Sequence, residues 1–278
     1  MAMIADSLDL TWREIMPAAW RTVRSAPATG AQNMAIDGAL LAAAGSGSEG
    51  VWRTYAWSNP TISFGRHEAA RARFSDESIR RAGLDAVRRP TGGRALLHAA
   101  EVTYSVAVPI APTVPWGTVY AAINRVLLDA LRALGVNATL VPPRTTPHVK
   151  PDGPLCFDEP SEGEIVVEGR KLVGSAVWRE RGAYLQHGSI LLHNQQELLL
   201  HAMRSDNAEP APVAASLSQL LREPPTWDAV TEALESALRR QTTLVGNGPP
   251  RPAPLELDDE TLSRHELRYR DPAWLWRR

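Results

Sequence analysis

Apolar residues recur at helical spacing between Trp116 and Leu134, where Ile123, Val126, Leu127, Ala130, Leu131 and Leu134 share one stripe and Gly135 follows as a stop. Met34, Ile36, Leu40 and Leu41 predict a second helix over Asn33–Ala44, ended by the Gly45–Gly50 run of glycine and serine. Further helices are expected at Gln196–Met203, Trp227–Arg240 and Asp258–Arg268. Short apolar or alternating runs predict strands at Val51–Trp57, Thr61–Phe64, Ala86–Arg88, Arg94–His98, Val102–Val108, Glu164–Val167, Lys171–Trp178 and Ala183–Leu192. Ser58-Asn59-Pro60 reads as a turn that pairs the first two of these. Glu168-Gly169 and Arg179–Gly182 read as turns joining the last three. Pro142–Pro154 is a proline-rich loop, Gly246–Pro254 a linker and Tyr269–Trp276 an aromatic tail. Strands meeting strands through short turns, with helices inserted, predict an α/β (α+β) fold with a mixed, largely antiparallel sheet flanked by helices. The strand–helix alternation of a doubly wound parallel sheet is missing.

Composition narrows the function. Hydrophobic residues make up 44% and charged residues 22% of the 278 positions, as in an ordinary globular chain. A formal net charge of −1 gives no electrostatic reason to expect nucleic acid or an anionic membrane as partner. One cysteine cannot form an intramolecular disulfide, Met1–Leu10 lacks the basic start and apolar core of a signal peptide, and no apolar stretch approaches the ~18 residues of a membrane span. The expected location is the cytoplasm.

Candidate chemistry centres on that cysteine, Cys156, and on Lys171 fifteen positions later, one of two lysines in a chain whose 30 basic residues are otherwise arginine. A lysine kept in such a background suggests a task for a compact ammonium, and an ammonium near a thiol favours the nucleophilic thiolate. Arg88-Arg89-Pro90-Thr91-Gly92-Gly93-Arg94 links two predicted strands, and its glycines let backbone approach a ligand closely while its arginines favour a polar acyl head. A tight β-turn explains the same residues. The segment lacks Walker spacing and a following helix, which excludes a P-loop. His98 reads as a satisfied structural histidine or a proton-transfer aid, and His187, beside Gly188 within a strand, as a pocket-lining residue. The scattered histidines show no metal-ligand spacing, and no metal is expected.

Six segments occur in order: Asn33-Met-Ala-Ile-Asp37, Arg88–Ala95, Glu101-Val-Thr-Tyr-Ser105, Cys156-Phe-Asp-Glu-Pro-Ser161, Gly169–Ala176 and Gln186–Leu191. Together they resemble the biotin/lipoate protein ligase superfamily, most nearly its cysteine-dependent octanoyltransferases of the LipM type. The resemblance runs from about Trp20 to Leu192 and resumes at Arg268–Trp274. It implies a class II synthetase-like fold, one catalytic domain over residues 1–278, and a helical C-terminal extension over about 195–278 packed on it. It also implies Cys156 as nucleophile, Lys171 as contact to the acyl carbonyl, and substrate contacts from Arg89, Thr91, Gly92, Gly93, Arg94, His98, Gly174, Ser175, His187 and Gly188. No cofactor is implied.

The expected reaction moves octanoyl from acyl carrier protein to a lysine of a lipoyl domain or the glycine-cleavage H protein, through a cysteine thioester. Both partners are acidic carriers, so an arginine-rich face is expected, with Arg71, Arg73, Arg80 and Arg81 as candidates that a solvated helix face explains as well. Alternatives are an ATP-dependent lipoate–protein ligase, an amidotransferase taking octanoyl from the H protein, and a non-catalytic module binding such carriers. Ala99 stands where the family commonly has aspartate after the histidine, Trp178 where a smaller polar residue is usual, and Gly163 where an aromatic is commoner.

Overall fold

A computed structural model describes residues 12–142, 162–204 and 213–277; Cys156 and nearly all of the Pro142–Pro154 loop lie outside them. The larger of two sheets contains β1 (Ala19–Arg24), β2 (Glu49–Tyr55), β6 (Glu101–Pro109), β7 (Thr139–Leu140), β8 (Ile165–Val167), β9 (Arg170–Glu180), β10 (Ala183–Leu191) and β11 (Arg251–Pro252). Their order is β11-β1-β2-β6-β10-β9-β8-β7, with the β11–β1 and β1–β2 pairs parallel and the other five antiparallel. The expected mixed, largely antiparallel architecture is what forms. β1 escapes the sequence pattern because two of its six residues are arginines, Arg21 and Arg24, which ion-pair with Glu49 at 2.6 Å and Glu235 at 2.7 Å. The predicted linker Gly246–Pro254 contributes the edge strand β11 through Arg251 and Pro252.

One strand expectation is overturned. β3 (Thr61–Phe64) does not pair with β2; it lies between β4 (Asp85–Arg88) and β5 (Leu96–His98) in a separate three-stranded sheet. The chain leaves the large sheet at Trp57, which bridges Ala28, and Ser58 then donates to the Ala28 carbonyl. Pro60 accepts from Asp85, so the Ser58–Pro60 segment carries the chain across rather than back. Between β5 and β6, Ala99 and Ala100 turn the chain from the small sheet into the large one, and the Ala100 carbonyl accepts from Leu192 and His193.

One face of the large sheet packs Val102, Tyr104, Val106 and Ile190 under α3 (Trp116–Ala133) and α6 (Trp227–Leu244), with Leu217 of α5 (Leu217–Leu220) in the same core. The other face receives α1 (Gly30–Ala44), whose Ile36, Leu40 and Leu41 meet Ala107 and Leu185. α1 starts three residues earlier than its apolar positions predict, because Thr29 and Gln32 form a reciprocal capping box. The small sheet packs Ile62, Phe64 and Leu97 with Phe74, Ile79 of α2 (Asp76–Arg81), and Leu199 of α4 (Leu198–His201). Helix α4 is shorter than the predicted Gln196–Met203, since Gln196 instead pairs its side-chain amide with the Leu97 backbone at 2.7 and 3.1 Å and closes the free edge of β5. Past β11, α7 (Asp259–Arg270) lies along α1, and α8 (Pro272–Leu275) carries Trp276 into the small-sheet core. Among the described residues no helix is long and apolar enough to cross a membrane.

Candidate active site

The glycine loop between β4 and β5 is organised by one buried arginine. Arg89 donates through Nε and Nη2 to the Gly92 carbonyl at 3.1 and 2.8 Å, through Nη2 to the Arg94 carbonyl at 2.8 Å, and through Nη1 to the Ser63 carbonyl and hydroxyl at 2.7 and 2.9 Å. Its fork therefore shapes the loop from within. Gly93 has φ of +93°, and a Cβ on the neighbouring Gly65 would collide with the Gly93 carbonyl. Nothing lies within 4 Å of where a Gly92 Cβ would stand, so this backbone faces open space.

Thr91 ties the loop to the large sheet. Its hydroxyl is 2.6 Å from His187 Nε2, and His187 Nδ1 is 3.0 Å from Asp37 Oδ2. Asp37, wholly buried on α1, also accepts from Arg53 Nη1 at 2.8 Å, Ser105 Oγ at 2.8 Å and Tyr55 OH at 3.0 Å. A carboxylate at Nδ1 keeps the ring proton there, which leaves the Nε2 lone pair to accept from Thr91. Burial pushes His187 below its ordinary value, against the pull of its bond to Asp37. Burial alone would raise Asp37, but the His187 hydrogen bond and the Arg53 guanidinium outweigh it and hold the carboxyl low. The result is a fixed relay of carboxylate, neutral imidazole and hydroxyl ending on the loop.

A second relay runs beside it. His98 Nδ1 is 2.7 Å from Glu101 Oε1 and its Nε2 is 2.7 Å from Ser63 Oγ, the hydroxyl that Arg89 also grips. Thr103 and Ser189 donate to the same Glu101 oxygen at 2.6 and 2.7 Å, and the Trp57 ring stacks on His98 with centroids 4.0 Å apart. Both nitrogens of His98 are occupied, which makes it a support for the loop.

On β9, Lys171 Nζ lies 2.7 Å from Glu164 Oε1, and both side chains are buried. The β8–β9 hairpin, turning at Glu168 and Gly169 with φ of 52° and 76°, brings the strand following Glu164 alongside Lys171. A buried ammonium without a counter-charge would be strongly unfavourable, and Glu164 supplies one. On the face under α3 and α6, Tyr104 crosses Gly188 to meet Ser175 Oγ at 2.7 Å, while Gln186 donates to Tyr104 OH at 2.9 Å and to Asn124 Oδ1 at 2.8 Å. A Cβ on Gly188 would strike the Gly174 carbonyl and the Tyr104 ring, so only glycine permits that crossing. Gly174 pairs in register with Ser189.

Of the residues singled out from sequence, Arg89, Thr91, Gly92, Gly93, Arg94 and His187 are joined directly, and His98 through Ser63. Gly174, Ser175 and Gly188 sit on adjacent strands, Lys171 is held on β9, and Cys156 lies outside the described residues. Sequence reasoning assigned no role to Glu164, Asp37, Ser63, Glu101 or Ser105. Glu164 had a signal, since a hairpin at Glu168-Gly169 sets its strand against that of Lys171. Asp37 and Ser105 stand in two of the six quoted segments, but their meeting depends on how α1 lies on β6. Among the described residues, no group of three or more histidine, cysteine, aspartate or glutamate side chains is gathered in a way that could hold a metal ion.

Comparison with known proteins identifies the family and the fold. The "Octanoyltransferase LipM" of Bacillus subtilis (strain 168) is 41% identical over 189 residues, covering 65% of this chain and 68% of that protein. The protein of the same name from Lysinibacillus sphaericus (strain C3-41) is 35% identical over 269 residues, covering 90% and 92%. Among solved structures, a lipoate-protein ligase A bound with ATP superposes with TM-score 0.77 at 18% identity, over 93% of this chain and 98% of that one. The putative lipoate protein ligase Ta0514 of T. acidophilum with bound lipoic acid gives 0.74 at 19%, over 93% and 99%. The description "Lipoyl protein ligase A/B catalytic domain" matches residues 29–239, and the chain belongs to that family.

Proposed function

We propose that this protein is an octanoyltransferase that moves octanoyl from acyl carrier protein to the ε-amine of a lysine on a lipoyl domain or the glycine-cleavage H protein, using Cys156 as nucleophile. The relatives named octanoyltransferase, at 35–41% identity, support the transfer. The structural observation that carries the reading is Lys171, a buried ammonium fixed by Glu164 on the strand that pairs with β10.

The Cys156 thiolate attacks the donor carbonyl carbon, a C–S bond forms, and the carrier's C–S bond breaks. The carrier leaves as thiolate and takes the proton released by Cys156. The acceptor amine then attacks the enzyme thioester, an amide forms, the enzyme C–S bond breaks, and the ammonium proton passes to the sulfur. One thioester replaces another in the first half and aminolysis is downhill in the second, so ATP is not consumed. Lys171 stabilises the oxyanion of both tetrahedral intermediates. Because Glu164 shares its charge, the ammonium acts chiefly by placement, a demand a guanidinium would not meet. The Thr91–Gly93 loop, held by Arg89 and His187, lies along the acyl group.

Intact-protein mass after mixing with octanoyl-acyl carrier protein, without ATP, tests this. The expected result is one octanoyl group on the enzyme, released by hydroxylamine and missing from Cys156→Ala. Acylation only from octanoyl-H protein would identify an amidotransferase, and dependence on ATP and free lipoate a ligase. Lys171→Arg should keep the fold, by circular dichroism, and lose transfer by about 100-fold or more. Wild-type rates in that variant would remove Lys171 from the mechanism.

A further inference from the structure

Three guanidinium groups gather around two indoles beside the glycine loop. Arg66 follows the glycine packed on the Gly93 carbonyl, and its backbone N–H donates to the Thr91 carbonyl at 2.8 Å. Its guanidinium lies 4.0 Å from the Trp178 ring centroid and 5.5 Å from that of Trp274. Arg268 and Arg277 lie 3.9 and 4.6 Å from the Trp274 centroid. Trp274 itself is anchored by its indole N–H to the Arg88 carbonyl at 2.9 Å, at the base of the same loop.

Among the described residues, none of these three arginines has an ion-pair partner. The contrast within α7 is instructive. Arg264 and Arg270 each pair with a glutamate four residues earlier, Glu260 at 3.1 Å and Glu266 at 2.6 Å, whereas Arg264 occupies that place for Arg268. The neighbouring carboxylate, Glu180, accepts from the Trp178 indole at 3.0 Å. Burial, and then the charges of Arg268 and Arg277, push Arg66 below the ordinary arginine value. Like charges held this close repel unless an anion offsets them, and guanidinium planes stacked on aromatic faces keep their donor edges available for one. The whole chain is nearly neutral, so the excess is local.

We propose that Arg66, Arg268 and Arg277, set on Trp178 and Trp274, form the docking point for the acidic acyl carrier that brings the donor, with their forks gripping the phosphodiester of its thioester arm. The proposal rests on the octanoyl-transfer reading above. It places the arginine face away from Arg71, whose Nε is bound to the Trp276 carbonyl at 3.2 Å. The donor fits better than the lysine-bearing acceptor because its arm carries a compact permanent anion that planar forks bind bidentately, whereas the acceptor's reactive end is an amine that three cations would repel.

The test uses Arg268→Gln, Arg277→Gln and the double variant, with exposed Arg240→Gln on α6 as a surface control. Enzyme acylation is followed with octanoyl-acyl carrier protein and with octanoyl-pantetheine, which is neutral and carries neither phosphate nor protein. Unacylated holo-carrier is also titrated calorimetrically against each variant. Each single substitution should raise KM for the carrier substrate by roughly three- to tenfold with kcat unchanged, weaken the salt dependence, and leave octanoyl-pantetheine unaffected. Unchanged carrier KM, an equal loss with octanoyl-pantetheine, or a KM effect on the lipoyl acceptor instead would overturn the proposal. If the wild type takes no octanoyl from the carrier, the proposed reaction falls. The carrier titration needs no chemistry and still decides the surface: unweakened binding in the variants, or no binding by the wild type, would overturn it.

Discussion

Asp37 joins four side chains near the site, Arg53, Tyr55, Ser105 and His187, and its consequences are measurable one substitution at a time. Its carboxylate balances the fully buried Arg53 and orients Ser105, Tyr55 and His187 at once. Asp37→Asn would leave the Arg53 cation buried without a counter-charge, for an expected loss of about 3–5 kcal/mol in urea unfolding. Conservative Thr91→Ser should hold stability and acylation near wild type, whereas Thr91→Val should lower acylation by about tenfold by breaking the contact with His187. His187 also sets a pH dependence. Because its folded value lies below the ordinary 6.5, the unfolded chain binds the proton first as pH falls. Its contribution is therefore present above pH 6.5 and lost as pH drops below that, which a series of unfolding curves from pH 8 to 5 would reveal. Replacing His187 by glutamine should flatten that slope.

At the scale of elements, the glycines separate positions that shape the fold from positions that face a ligand. Gly188→Ala forces a methyl between β9, β10 and the Tyr104 ring, and should cost about 1–3 kcal/mol in stability. Gly92→Ala meets open space, so its stability should stay within about 0.5 kcal/mol of wild type. A drop in acylation by that stable variant, measured by intact mass, would locate the acyl group against this backbone. Unchanged acylation would move it elsewhere. The long strands and α3 were legible because their apolar spacing is strong and their ends are marked by glycine. β1 was hidden by Arg21 and Arg24, and the pairing of β3 by a turn whose residues suit a hairpin as well as a crossing. The site followed the same rule. Residues inside short motifs, such as Thr91, Gly92 and His187, could be picked out by chemistry. Glu164 and Glu101 gain their roles only when a hairpin closes or a chain changes sheets.

Across the whole molecule, the two sheets are joined by side chains more than by strand pairing. Arg89, Ser63, His98 and Glu101 link the small sheet to β6 and β10, and Thr91 links it again through His187 to α1. From the far end of the sequence, the Leu275 carbonyl accepts from Arg88 Nε at 2.8 Å, and Trp274 donates back to the Arg88 carbonyl. Removing residues 271–278 would strip both bonds and take Trp276 from the small-sheet core. The expected cost is about 3–5 kcal/mol, read as a shift in the urea midpoint.

That closure at Arg88 also has a meaning in time. During synthesis the glycine loop leaves the ribosome long before Trp274 and Leu275, so a nascent chain can form both sheets while its loop still lacks the last clamp. Full clamping of the glycine loop is then a late event in the life of each molecule. Chains stalled before Trp274 would populate a nearly complete form with an unclamped loop, which proteases would distinguish from the finished one by cutting near Arg88–Arg94.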